Sequence, residues 1–427
     1  MKTSAGTCIF YLGLLISAPL ASANIDAAVA DQSDANLSRL ASLLGQLQQR
    51  GASRGDLSDV LTSLNQSQQP QLIRRSLRSL LPAVDRATAI RAQAKIRAWR
   101  HRNKPATQRV RHSRPGSASS VLNFGSYSPT MYATESSSST NPRQSATWWL
   151  QAWQDRAEQS ADDLFDGFDA EQTGASLGMD FALNPQLTVG LSYSTYSGEV
   201  DSNIFGLDDQ QGDQLSLSAI WSNGNHSLSA QVSRSEDEID RQRLMLVLTE
   251  TTLRTFRLRS DIKATQTSYG VEYSYSLLPD PTSTSNMLFT PFAGLSFDTI
   301  DTDDYVERGS DTLSLLVRTE QEEQFSGYLG ASLGFAWFSD NWTFLPSISV
   351  AFEHDFKADP TVTTSRFRDT PLSFDTEGLE IEENRWRYTV GISLLHRNNV
   401  GVGLSYQGQR KGDYEYDGVV LNLQMGI

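Results

Sequence analysis

From Thr147 onward, segment after segment has apolar and polar side chains alternating one by one, the period of a strand with two unlike faces. Leu187, Val189, Leu191 and Tyr193 alternate with Thr188, Gly190, Ser192 and Ser194, and Trp386, Tyr388, Val390, Ile392 and Leu394 with Arg387, Thr389, Gly391 and Ser393. The stretches Tyr269 to Ser276, Val400 to Gln407 and Val419 to Ile427 repeat the pattern. Before Thr147 the period is helical. Leu37, Leu40, Leu43, Leu44 and Leu47 recur at three- and four-residue spacing, and Leu57, Val60, Leu61 and Leu64 follow. A third helical segment is predicted from Pro70 to Arg102, broken at Pro82, where proline removes an amide donor.

The alternation predicts twelve strands, at 147–154, 172–183, 186–197, 213–222, 226–235, 264–277, 287–299, 323–338, 342–355, 384–396, 400–409 and 416–427. All but the first have 10 residues or more, and a tilted strand crosses a bilayer with about 9–11. Their connections alternate between short turns, such as Asn184-Pro185 and Asn223-Gly224-Asn225, and long acidic loops at 155–171, 198–212, 236–263, 300–322 and 356–383. A soluble sandwich does not predict that asymmetry, whereas an outer-membrane barrel has short periplasmic turns and longer extracellular loops. Aromatic residues fall near strand ends: Trp148, Trp149, Tyr196, Trp221, Trp337, Phe338, Trp342 and Trp386. They are expected to form girdles at the two membrane interfaces. The predicted fold is therefore a 12-stranded antiparallel outer-membrane β-barrel, preceded by a short α-helical, basic N-terminal region.

Composition by itself points elsewhere, because a formal charge of -14 resembles that of a soluble acidic protein. The start of the chain changes the picture. Lys2, the apolar run Cys8 to Ile16 and the small residues Ala21-Ser22-Ala23 read as a signal peptide cleaved between Ala23 and Asn24. Cys8 is the single cysteine, so the mature chain has neither disulfide, thiolate metal site nor cysteine nucleophile. The expected organisation is a signal peptide at 1–23, a helical basic region at 24–104, a Ser/Pro/Thr-rich linker at 105–146 and the barrel at 147–427.

Charge is divided unevenly along the chain. From Arg74 to Arg114 there are 13 Lys and Arg residues and one acid, Asp85. Such a bias marks either a solvated helix face or an anionic partner. Export argues against nucleic acid as that partner. Residues before 146 carry 18 bases and 7 acids, which leaves 18 bases and 43 acids for the remainder. Opposite fields draw the basic segment toward an acidic pore, and Arg91, Arg97, Arg100 and Arg102 are the candidate lumen-interacting residues.

Residues 146–427 resemble the autotransporter, or type V secretion, translocator domain. The likeness rests on Trp149-Leu-Gln-Ala-Trp153, Thr173-Gly-Ala-Ser-Leu-Gly-Met-Asp-Phe181, Asn184-Pro-Gln-Leu-Thr-Val-Gly-Leu-Ser-Tyr193 and the Gly-rich hairpin from Val400 to Ile427. The resemblance implies a barrel in the cell outer membrane that translocates or displays its own N-terminal region. It also implies as partners the membrane lipid, the outer-membrane barrel-assembly machinery and that N-terminal region. Two alternatives share the barrel: a porin with a periplasmic or lumen-plugging helical prefix, and an adhesin acting through the acidic loops. No enzyme is expected. His354, between Glu353 and Asp355, is the one histidine placed to act as a general base, and no nucleophile accompanies it. Nor is a cofactor or metal expected, since the acidic runs 301–304 and 320–323 lack the spacing of a calcium loop.

Overall fold

The computed structural model describes residues 23–30, 34–82, 107–109, 130–132, 146–161, 167–202, 206–248, 253–277, 287–319, 321–339, 341–358, 362–378, 383–396 and 400–426. Twelve long strands form one closed antiparallel ring. They are β1 (Ala146–Gln159), β2 (Phe168–Ala182), β3 (Leu187–Ser202), β4 (Gly206–Asn223), β5 (His226–Leu248) and β6 (Leu253–Tyr275). The second half comprises β7 (Met287–Thr302), β8 (Glu322–Phe335), β9 (Trp342–Ala358), β10 (Asn384–His396), β11 (Val400–Lys411) and β12 (Tyr414–Gly426). Each strand pairs with the next in sequence, and β12 pairs back onto β1 from Tyr414↔Gln159 to Gly426↔Thr147. All of the predicted strands are present.

Strand length departs from the sequence reading at the long-loop end. Residues 236–263, expected as a loop, instead carry β5 up to Leu248 and bring β6 back from Leu253, paired throughout. The alternation of facing continues there, but the outward residues become Arg234, Glu236, Glu238 and Asp240, so apolar and polar no longer alternate. The loops 300–322 and 356–383 hold a separate four-stranded antiparallel sheet, in the order 305–306, 315–319, 362–367 and 374–377.

Outward positions across the lower and middle barrel are apolar and uncovered: Leu191 is 50% exposed, Val390 49%, Leu404 50% and Leu421 51%. A continuous band of that kind belongs in lipid. Near the short turns it is edged by Trp148, Phe181, Trp221, Phe335, Trp337 and Trp342. On the other side Phe352 and Trp386 meet edge to face at 5.2 Å. Trp342 and Phe352 lie ten residues apart on β9, roughly 33 Å along a strand, or about 25 Å of height at the usual tilt. Trp148, Trp221, Trp337, Trp342 and Trp386, the tryptophans read as interfacial, all stand exposed on the outer wall.

Trp149 and Tyr196 do not belong to the girdle. Strand alternation turns both inward, where they are 5% and 4% exposed. Each covers a glycine directly across the sheet, Gly178 and Gly212. Trp153 over Gly174, Phe292 over Gly330 and Tyr328 over Gly294 are built alike. A Cβ on Gly178 would lie 2.1 Å from the Trp149 ring, so the missing side chain is what lets the indole lie flat on the wall.

Four helices precede the barrel: α1 (Ala23–Val29), α2 (Ala35–Gln49), α3 (Gly55–Gln66) and α4 (Pro70–Leu80). Ala23 and Asn24, the expected cleavage junction, open α1, and the preceding residues lie outside those described. Asp34 caps α2 through Leu37 N at 3.0 Å, and Pro70 begins α4, where the absent amide costs nothing. The helix ends at Leu80, ahead of Pro82 as predicted. The leucines picked out by their spacing all face one shared core. Among the described residues no helix is long and apolar enough to cross a membrane. The strands do that.

Candidate functional site: the lumen and its outer mouth

A barrel has two places where it can act on something, the lumen and its ends. The lumen wall is polar and buried. Gln151, Asp155, Gln172, Ser176, Ser194, Gln214, Ser233, Thr290, Ser326 and Thr389 are all under 10% exposed. Among the described residues, carboxylates facing inward include Asp155, Asp208, Asp237, Asp298, Glu353 and Asp355, and the buried inward cations are Arg241, Arg243, Arg385 and Arg387.

Six of these charges form two groups. On β9 and β10, Arg385 bonds Glu353 at 2.7 Å and also Asp355, and Arg387 bonds Glu353 at 2.8 Å while stacking 4.6 Å over the Tyr328 ring. Asp355 further accepts from Ser326 Oγ at 2.6 Å and Gln324 Nε2 at 2.9 Å. Nearer the mouth, Arg241 forks onto Asp208, with Nε to Oδ2 at 2.9 Å and Nη2 to Oδ2 at 2.7 Å. Its Nη1 donates to the Tyr305 hydroxyl at 3.2 Å. Burial pushes the Tyr305 phenol above its ordinary 10.0, against the opposing pull of the Arg241 charge.

The mouth at the long-loop end is covered. Helices α1 to α4 share a single apolar cluster with Ile239, Met245 and Val247 of β5, Ile262 and Ala264 of β6, and Leu315, Val317, Phe367 and Phe374 of the loop sheet. Arg243, 2% exposed, reaches from β5 to Glu307 at 2.7 and 2.6 Å and to the carbonyls of Ser79 at 2.7 Å and Leu81 at 3.2 Å. The opposite end carries the short turns, the start of β1 and the finish of β12.

The sequence of this wall has relatives. The autotransporter beta-domain family matches residues 148–407, well over half of the chain. The chain belongs to the autotransporter family. Its place is the cell outer membrane. Among solved structures it is similar to the translocator domain of autotransporter NalP from Neisseria meningitidis, with a TM-score of 0.52 and 14% identity over 66% of this chain and 88% of that one. Among curated proteins it is similar to "Outer membrane protein A" of Rickettsia conorii, 22% identical over 60% of the chain. The protein of the same name from Rickettsia rickettsii is 22% identical over 58% of the chain. The chain spans only 13% and 11% of those two relatives' lengths.

Within this autotransporter the other candidate residues scatter. Arg91, Arg97, Arg100 and Arg102 lie outside the described residues. His354 points away from the lumen toward Phe356 and Asn384, with Nδ1 2.9 Å from Asn384 Oδ1. Glu353 and Asp355 point the other way, so the three do not converge. The acidic runs are tied to bases, Asp304 to Arg318 at 3.2 Å and Glu323 to Lys357 at 2.8 Å. Sequence reasoning missed Arg241 and Arg243 because they lay in a stretch taken as loop. Extending the inward parity of Ser233, Ser235 and Asp237 would have placed both on the lumen side.

Proposed function

We propose that this autotransporter carries its own N-terminal helices through its barrel to the outer face of the membrane and displays them there. The observation that supports this most is where the chain's fixed points lie. Leu81 is held at the long-loop mouth by Arg243, and Ala146 begins β1 at the short-turn end. In the outer membrane hydrocarbon would surround the wall, so a chain passing from one end to the other would have the lumen as its route.

Charge favours the same route. The connecting segment holds most of the basic run, including Arg91, Arg97, Arg100 and Arg102, and among the described residues the lumen presents more carboxylates than cations. An acidic lumen, not nucleic acid, is then the anionic partner of that run. The outer-membrane barrel-assembly machinery is the expected helper for insertion, and no enzymatic step is required. A passive porin of the same build is less well supported, because four helices sit over its mouth.

The test is a single cysteine at Thr62, an exposed position of α3, in a Cys8→Ser background. A membrane-impermeant maleimide should label it on intact cells. Labelling that begins only after the outer membrane is opened would place the helices inside and end this reading.

A further inference from the structure

We infer that the exported helices are not cargo for release but a retained lid, recognised by the barrel's long-loop surface through unpaired main-chain groups. This rests on the export reading above. The contacts that carry it share one feature: each fills hydrogen-bonding capacity of the backbone that the fold otherwise leaves open.

The first is on β5. Strand β4 starts at Gly206, opposite Arg243, so from Leu244 to Leu248 no described strand pairs with β5 on that side. Helix α4 occupies the gap. Leu248 N donates to Ser76 Oγ at 2.8 Å, and Ser76 Oγ lies 3.3 Å from Leu248 O. Leu246 N donates to Ser79 Oγ at 3.1 Å, and that hydroxyl sits 2.9 Å from Leu246 O. Two serines one helical turn apart thus meet two alternate residues of a strand edge, and both are buried.

A second edge is closed in the same way. Segment 374–377 ends the loop sheet, and Asn36 of α2 reads its main chain from both sides: Nδ2 donates to Glu377 O at 2.8 Å and Oδ1 accepts from Glu377 N at 2.9 Å. Helix ends are met reciprocally. The N-cap residue of α3, Arg54, offers no side-chain bond, and the loop supplies one instead, Thr312 Oγ1 accepting from Leu57 N at 3.0 Å. Arg243 donates to the last carbonyls of α4, where the helix dipole favours a cation.

An open strand edge invites pairing with other chains, and a lifted lid would also bare the apolar faces of β5, β6 and the loop sheet. Barrel and helices therefore complete one another, and the lid stays docked after export.

The test uses the full chain with cysteine reporters in a Cys8→Ser background, labelled on intact cells with an impermeant maleimide. Met245→Cys lies under the lid, where the native side chain is 0% exposed, and Thr62→Cys lies on its outer surface. We expect position 245 to label at least a hundredfold more slowly than position 62. Ser76→Ala with Ser79→Ala, and separately Asn36→Ala, should speed labelling at 245 tenfold or more and leave 62 unchanged. Equal rates at the two positions in the unaltered chain would overturn the retained lid. Protection at 245 that survives both sets of substitutions would overturn main-chain docking as its cause. No labelling at 62 on intact cells, followed by labelling once the membrane is opened, is the separate failure of export.

Discussion

Replacing Arg243 with alanine tests the coupling of lid to barrel most directly. The guanidinium is 2% exposed and makes two bonds to Glu307, itself 2% exposed, and two to α4 carbonyls. Its loss removes the charged partner of Glu307 and leaves that carboxylate accepting from the Leu315 amide at 3.0 Å. Stranding a buried charge of this kind costs about 3–5 kcal/mol. At a factor of ten for each 1.4 kcal/mol, lid opening should become roughly a hundredfold to a few thousandfold more frequent. Amide hydrogen exchange reads this where it matters, on α4 and on residues 244–248, with the β11–β12 hairpin on the far wall as an internal reference. Less than a tenfold gain on α4, or an equal gain on β11–β12, would refute the reasoning. Arg243→Met combined with Glu307→Leu should recover most of the protection, because the cost lies in the unpaired charge more than in the lost pair.

The wall and the mouth can be perturbed separately. Leu421→Arg puts a charge on the lipid face and should destabilise the barrel by about 2–4 kcal/mol, seen as a lower urea midpoint in vesicles; an unchanged midpoint would mean that this face does not meet lipid. Gly178→Ala forces Trp149 off the wall and should cost about 1–3 kcal/mol, read as a lower melting temperature in detergent, and a neutral result would show that the indole moves freely. The Tyr305 phenol is raised by burial, so docking retains its full contribution below pH 10 and loses it as pH climbs through the higher folded value. A phenolate absorbance titration should show lid opening in that alkaline range, with that component absent in Tyr305→Phe.

What was legible in the sequence is what lipid and helix packing impose on residue type. Val400, Val402 and Leu404 face lipid and must be apolar, so their strand announces itself. Above the membrane the outward face meets water, Glu236 and Glu238 replace such residues, and the strand loses its signature although its backbone pairing is unchanged. Trp149 shows a second limit. Composition marks it as interfacial beside Trp148, but neighbours on a strand face opposite ways, and only parity counted from Leu150 separates them. The docking contacts had no local signal, since Ser76, Ser79 and Asn36 act on backbone groups more than 160 residues away.

The pairing of β12 with β1 differs from every other contact around the barrel, because it alone joins the two ends of the domain. Its thirteen opposed residue pairs form a seam. The other pairings are between consecutive strands and can form one after another along the chain, but the seam has to wait for residues 414–426. Closing so large a loop adds only logarithmically to its cost, yet it fixes the order of events. Until it zips, the barrel presents two long bare edges, the natural handholds for any insertion factor. Afterwards the wall is continuous, and whatever occupies the lumen at that moment is enclosed.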